Sequence, residues 1–207
     1  MENLRNELLC RYPCLKDVID SIDKAAQMMI DTYKNGGKIL VCGNGGSCAD
    51  SDHIVGELMK GFLEMRPVSD EQKKALGDTL DQDILSKLQC GIPAISLPAQ
   101  SAVISAYAND VDPKLVYAQL VFGYGKSQDM LIGLSTSGNS KNVVAAAKVA
   151  RAMGLRTLAL TGAKESKLSQ LCDITVKAPE TETFKVQELH LPIYHYLCAF
   201  VEKTLFA

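Results

Sequence analysis

His53 and Glu57 stand four residues apart in Asp52-His53-Ile54-Val55-Gly56-Glu57, so on a helix both side chains project from one face. An imidazole and a carboxylate in that relation can move protons. Interconverting a ketose and an aldose needs such a pair, a base for the C–H and an acid near the carbonyl and hydroxyl oxygens. Gln187 and His195 are offset by about 80° on a regular helix and can share one broad face. Two histidines, a carboxylate and an amide oxygen also suit a divalent metal such as zinc, which would polarise the same oxygens. Singly, each residue has a plainer reading, as a solvated helical Glu or a hydrogen-bonded His, and only the combination points to chemistry. Pro192 lies between Gln187 and His195 and implies a kink, or a helix that begins only a few residues before it.

Two loops could hold an anion beside these groups. Gly43-Asn44-Gly45-Gly46-Ser47 follows the apolar run Ile39-Leu40-Val41-Cys42. It lacks the Gly-Lys-Ser/Thr of a nucleotide loop, and Cys48 replaces the third glycine of G-x-G-x-x-G, so no nucleotide cofactor is expected. Ser135-Thr136-Ser137-Gly138-Asn139-Ser140 places hydroxyls ahead of a helix that begins near Lys141. Hydroxyls, backbone donors and the positive end of a helix dipole can together hold a phosphate without a dedicated lysine. An ordinary capped turn accounts equally well for one such loop, but two at the ends of different strands favour a phosphorylated ligand.

The elements that must position these loops follow from apolar patterning. Short buried runs at 38–42, 94–97, 130–134, 157–160 and 174–176 read as strands, and helical periodicity fills most of the gaps, as from Lys141 to Met153. Strands alternating with helices predict an α/β fold, a doubly wound five-stranded parallel sheet covered on both faces, because parallel neighbours need helical crossovers. Leu15, Val18, Ile22, Ala25, Met29 and Tyr33 predict a long N-terminal helix within a helical segment 1–35, stopped at Asn35-Gly36-Gly37. The helix after the first loop is expected to run through Phe62. The charged stretch 64–90 predicts one or two short inserted helices, with Ser69-Asp70-Glu71-Gln72 matching a capping box.

Length and charge exclude other classes. A chain of 207 residues with 47% hydrophobic residues predicts a single domain spanning 1–207. A net charge of -2, with no long basic run, disfavours nucleic-acid binding. No run approaches the roughly eighteen apolar residues of a membrane span, and the charged start lacks a signal-peptide core, so a cytoplasmic protein is expected. The seven cysteines include no Cys-x-x-Cys pair. Cys10 and Cys14 would share a helix face, and their plain reading is as unpaired thiols in a reducing compartment.

Taken in order, Cys42-Gly43-Asn44-Gly45-Gly46-Ser47, His53-x-x-x-Glu57, Ala108-Asn109-Asp110, Leu134-Ser135-Thr136-Ser137-Gly138-Asn139-Ser140 and Gln187-Glu188-Leu189-His190 with His195 resemble the motif series of bacterial phosphoheptose isomerases, which are SIS (sugar isomerase) proteins with a flavodoxin-like fold. The resemblance runs from about Gly36 to the C-terminus. It implies conversion of sedoheptulose 7-phosphate to glycero-manno-heptose 7-phosphate, the entry to bacterial heptose precursors. By the same resemblance, Glu57 and His195 form the acid–base pair, and His53, Glu57, Gln187 and His195 are the ligands where zinc is carried. Asn44, Gly45, Gly46, Ser47, Glu57, Asn109, Asp110, Ser135, Thr136, Ser137, Ser140 and Gln187 surround the substrate. A homotetramer with sites between subunits is implied as well.

Two departures keep rival readings in view. The insertion at 64–90 is longer than the usual segment and could line, cover or reshape the site. Glu202-Lys203-Thr204-Leu205-Phe206 is similar to a regulatory branch of the family that binds the bacterial replication initiator. A non-catalytic regulator of that kind, or an isomerase of another sugar phosphate, are the alternatives.

Overall fold

The computed structural model describes residues 2–77 and 79–206. Five strands, β1 (Ile39–Cys42), β2 (Ala94–Ser96), β3 (Met130–Leu134), β4 (Arg156–Thr161) and β5 (Ile174–Lys177), form one parallel sheet in the order β2-β1-β3-β4-β5. The register pairs Ile39 with both Ala94 and Met130, and Met130 with Arg156. This is the doubly wound five-stranded parallel sheet predicted from the sequence. Its direction of winding reverses between β1 and β3, where open α/β sheets bind ligands at the carboxyl ends of the strands.

Each inner strand feeds two cores, because successive side chains point to opposite faces. Ile39, Val41, Met130, Ile132, Leu158 and Leu160 pack on one face, whereas Leu40, Cys42, Leu131 and Ala159 pack on the other. The first face is covered by α1 (Glu2–Arg11), α2 (Ile19–Lys34), α3 (Gly46–Met59) and α10 (Thr183–Phe206). Against the second lie α7 (Val116–Tyr124), α8 (Lys141–Ala152) and α9 (Lys167–Leu171), with α6 (Ser101–Asp110) at its margin. Each fully buried Leu, Ile or Val contributes about 1.5–3 kcal/mol, so this two-sided burial is what holds the loops of the sheet in place.

Three expectations are corrected. The long N-terminal helix is present as α2 but starts at Ile19 rather than Leu15, because Pro13, which lacks an N–H, opens a 3₁₀ turn (Pro13–Val18) between α1 and α2. Cys10 and Cys14 therefore sit on different elements, both exposed. Next, α3 ends at Met59 rather than running through Phe62, because Lys60 turns to extended geometry and the following amides are captured by Glu202. Last, the helix carrying Gln187 and His195 does not begin just before Pro192, since α10 runs without interruption from Thr183 to Phe206.

The stretch 64–90 does hold two short helices, α4 (Asp70–Leu76) and α5 (Gln82–Lys87). The capping box at the start of α4 is complete: the Gln72 N–H donates to Ser69 Oγ (3.2 Å) and the Ser69 N–H to Gln72 Oε1 (3.0 Å). Among the described residues, no helix is long and apolar enough to cross a membrane.

Candidate active site

Both loops singled out in the sequence lie where the sheet reverses, at the carboxyl ends of β1 and β3. In the first, Gly45 adopts φ 56° and ψ −121°, a region that only glycine enters without strain, and so turns the chain directly into α3. Its Gly43 carbonyl accepts from the buried Tyr117 hydroxyl at 2.7 Å. In the second, Gly138 at φ 64° closes the turn, and a Cβ there would fall 2.1 Å from Ser166 Oγ. Ser135 Oγ and Ser140 Oγ lie 2.9 Å apart at the head of α8. The two loops are joined by reciprocal amides: Asn44 Nδ2 donates to Asn142 Oδ1 (2.9 Å) and Asn142 Nδ2 to Asn44 Oδ1 (2.8 Å). Thr136 is half-buried and Ser137 exposed, so this loop offers hydroxyls and the amino end of α8 to solvent.

α3 and α10 lie side by side in the same direction. Gln187 approaches Gly46, His53 meets Tyr194 and His195, and the chain beyond α3 meets Glu202. Gly46 admits Gln187, whose Nε2 would lie 2.6 Å from a Cβ at that position. His53 Nε2 is 3.1 Å from Glu57 Oε1 and 3.4 Å from His195 Nε2, and Lys60 Nζ donates to Glu57 Oε2 at 3.1 Å. Behind them, Tyr194 Oη donates to Asp50 Oδ1 (3.2 Å) and lies 3.0 Å from His53 Nδ1. Tyr194 Oη thus bridges Asp50 and His53 Nδ1, which orients the His53 ring so that its Nε2 faces both Glu57 and His195.

His195 is half-buried, with the Phe62 ring 5.5 Å from its own, beside a cavity of about 310 Å³ between α1 and α10. Burial, then the neighbouring His53, push its imidazole below the ordinary value, Glu57 opposes the shift and Arg11 adds to it. Tyr194 is pushed up by burial and by Asp50, so its proton stays on. His190 has a different role: fully buried, 3.3 Å from the Thr161 carbonyl, it is held neutral by burial, with a pKa lowered to about 4.

Glu57, His53 and His195 thus come together, with Asn44, Gly45, Gly46, Ser47 and Gln187 at the amino end of the same helix pair. Gln187 hydrogen-bonds to none of the three, and lies about two helical turns from them. Asn109 and Asp110, exposed at the end of α6, bond to each other (2.9 Å) and to neither loop. Tyr194, Asp50, Asn142 and Lys60 were missed by sequence reasoning. Of these, Lys60, one turn after Glu57, and Asp50, one turn before His53, left a spacing signal. No group of three or more His, Cys, Asp or Glu among the described residues is arranged to hold a metal ion. The donor types, with one imidazole orientation already fixed by Tyr194, nevertheless suit zinc.

The SIS domain family profile matches residues 14–89 and 84–162. A phosphoheptose isomerase of Aneurinibacillus thermoaerophilus is 34% identical over 191 residues, 92% of this chain and 85% of that protein. The solved phosphoheptose isomerase of Neisseria gonorrhoeae superposes with a TM-score of 0.76 at 28% identity, covering 96% of this chain and 94% of its own. That of Francisella tularensis gives a TM-score of 0.77 at 27% identity, with 93% and 91% covered.

Proposed function

The chain belongs to the phosphoheptose isomerase family of SIS-domain proteins, and we propose that this sugar-phosphate isomerase converts sedoheptulose 7-phosphate to D-glycero-D-manno-heptose 7-phosphate, the first step towards bacterial heptose precursors. The observation that carries the reading is the meeting of Glu57, His53 and His195 on one helix pair that starts at the loops of the sheet reversal. The loop Ser135–Ser140 and the amino end of α8 hold the phosphate, where a helix dipole and local donors each contribute about 0.3–2 kcal/mol. Asn44, Gly45, Gly46, Ser47 and Gln187 face the sugar, and Asn109 and Asp110 complete the enclosure when subunits assemble as a homotetramer. The setting is cytoplasmic.

The reaction moves one proton between carbons and one between oxygens. Glu57 takes the proton from C1 of the ketose and returns it to C2. His195, whose lowered imidazole is neutral near pH 7, passes a proton between the two oxygens of the enediolate. His53, oriented by Tyr194 and Asp50, fixes both partners. Where zinc is bound, His53, Glu57 and His195 would hold it, Gln187 standing about two helical turns away beside Gly46, and it would polarise the substrate's carbonyl and hydroxyl oxygens.

The test incubates purified protein with sedoheptulose 7-phosphate, with and without zinc and chelator, and resolves the product by NMR. Heptose 7-phosphate formed by the wild type and not by Glu57→Gln supports the assignment. No product from a folded wild type with either metal condition sinks it and directs the search to other ketose phosphates.

A further inference from the structure

Glu202 and Arg66, 136 residues apart, are both wholly buried. The Glu202 carboxylate accepts from the amides of Phe62 (2.7 Å), Leu63 (2.7 Å) and Glu64 (3.0 Å) and from Arg66 Nε (2.7 Å). Arg66 in turn donates through Nη1 to the Leu58 carbonyl (2.7 Å) and through Nη2 to the Glu57 carbonyl (3.1 Å), while the Phe206 ring lies 5.0 Å from its guanidinium. The last carbonyls of a helix have no partner within it, so Arg66 serves as the side-chain cap of α3. Burial alone would raise the Glu202 carboxyl, but the Phe62 and Leu63 amides and Arg66 outweigh it and hold it below the usual value.

From this geometry we infer that Arg66 and Glu202 are positioning residues for the isomerisation, a clasp that fixes the Glu57 backbone and sets the Phe62 ring against His195. This rests on the isomerase reading proposed above. Stability alone does not call for such a pair, since apolar replacements of buried ion pairs are often neutral or stabilising. What an apolar pair could not do is grip the Glu57 carbonyl and three successive amides at once. The segment reminiscent of the initiator-binding branch is therefore committed inward at its first residue, Glu202.

The test compares Glu202→Gln, Arg66→Lys and, as a stability control in α7 on the opposite face, Val121→Ala. Small displacements of a reacting group are costly, so both clasp variants should lose about 10- to 100-fold in kcat. The KM should stay within about twofold, because the phosphate loop is untouched. Val121→Ala should lower Tm with kcat unchanged. Clasp variants that lower Tm yet keep wild-type kcat would overturn the inference.

Two readouts do not depend on turnover. A ring-to-ring nuclear Overhauser contact between Phe62 and His195, whose ring centres lie 5.5 Å apart, should be seen in the wild type and vanish in Glu202→Gln, and its persistence there refutes the clasp even if no substrate is turned over. If neither variant folds, hydrogen exchange on the wild type decides: the amides of Phe62, Leu63 and Glu64 should be as protected as those inside α3, and rapid exchange there refutes the proposal.

Discussion

Between β1 and β2 the chain contains two stretches of opposite character. α3 is anchored along its length, with Ile54 and Leu58 in the core, its amino end set by Gly45 and its carboxyl end gripped by Arg66. The stretch carrying α4 and α5 buries nothing from α4 and only Leu85 from α5. It is tied at its base, by the Pro67–Gln89 bridge and the Cys90 amide on the Arg66 carbonyl at 2.7 Å. The difference teaches where precision resides: groups that must keep fixed distances sit on the element with tertiary partners at both ends, while the insertion relies on local capping.

The sharpest way to break this comparison is Glu57→Gln, which keeps shape and removes the proposed base. It should retain wild-type Tm and lose about 10²–10⁴-fold in kcat. A stability change instead would mean that Glu57 is structural.

Next comes pH. His190 is depressed to about 4 in the folded state, so the unfolded chain takes up its proton first as pH falls. The stability due to its neutral form is present above the ordinary value of 6.5 and is lost as pH falls towards 4, by about 3 kcal/mol. Denaturant titrations should show that slope, and His190→Leu should flatten it.

Tyr194→Phe leaves the packing of α10 intact but frees the His53 ring, and should lower kcat about tenfold, measured in the same product assay. Smallest is Ser69→Ala, which removes half of the capping box. It should cost about 1 kcal/mol locally, seen as faster amide exchange in α4 with kcat unchanged. A changed kcat would show that the insertion reaches the substrate.

Legibility in the sequence followed the range of the interactions. The strands were readable because buried parallel strands are continuous apolar runs, as Met130–Leu134 is, and the loops because glycine and hydroxyl residues cluster for backbone reasons. Ser69 and Gln72 announced their cap within four residues. α1 carried little signal, since only Leu8 is buried in it. Arg66 and Glu202 each look like solvated surface residues until a partner 136 positions away is known. The same holds for Tyr194 with Asp50 and for Asn142 with Asn44, whose pairing depends on how α10 and α8 are laid against the first loop.

The separation of that ion pair also sets a schedule for synthesis. At translation rates of about 5–20 residues per second, roughly 7–27 s pass between the emergence of Arg66 and that of Glu202. Throughout that interval the strands can begin to align, yet neither the Arg66 guanidinium nor the amides of residues 62–64 have the carboxylate that pairs with them. The nascent chain therefore carries an unfinished α3 terminus until α10 has left the ribosome.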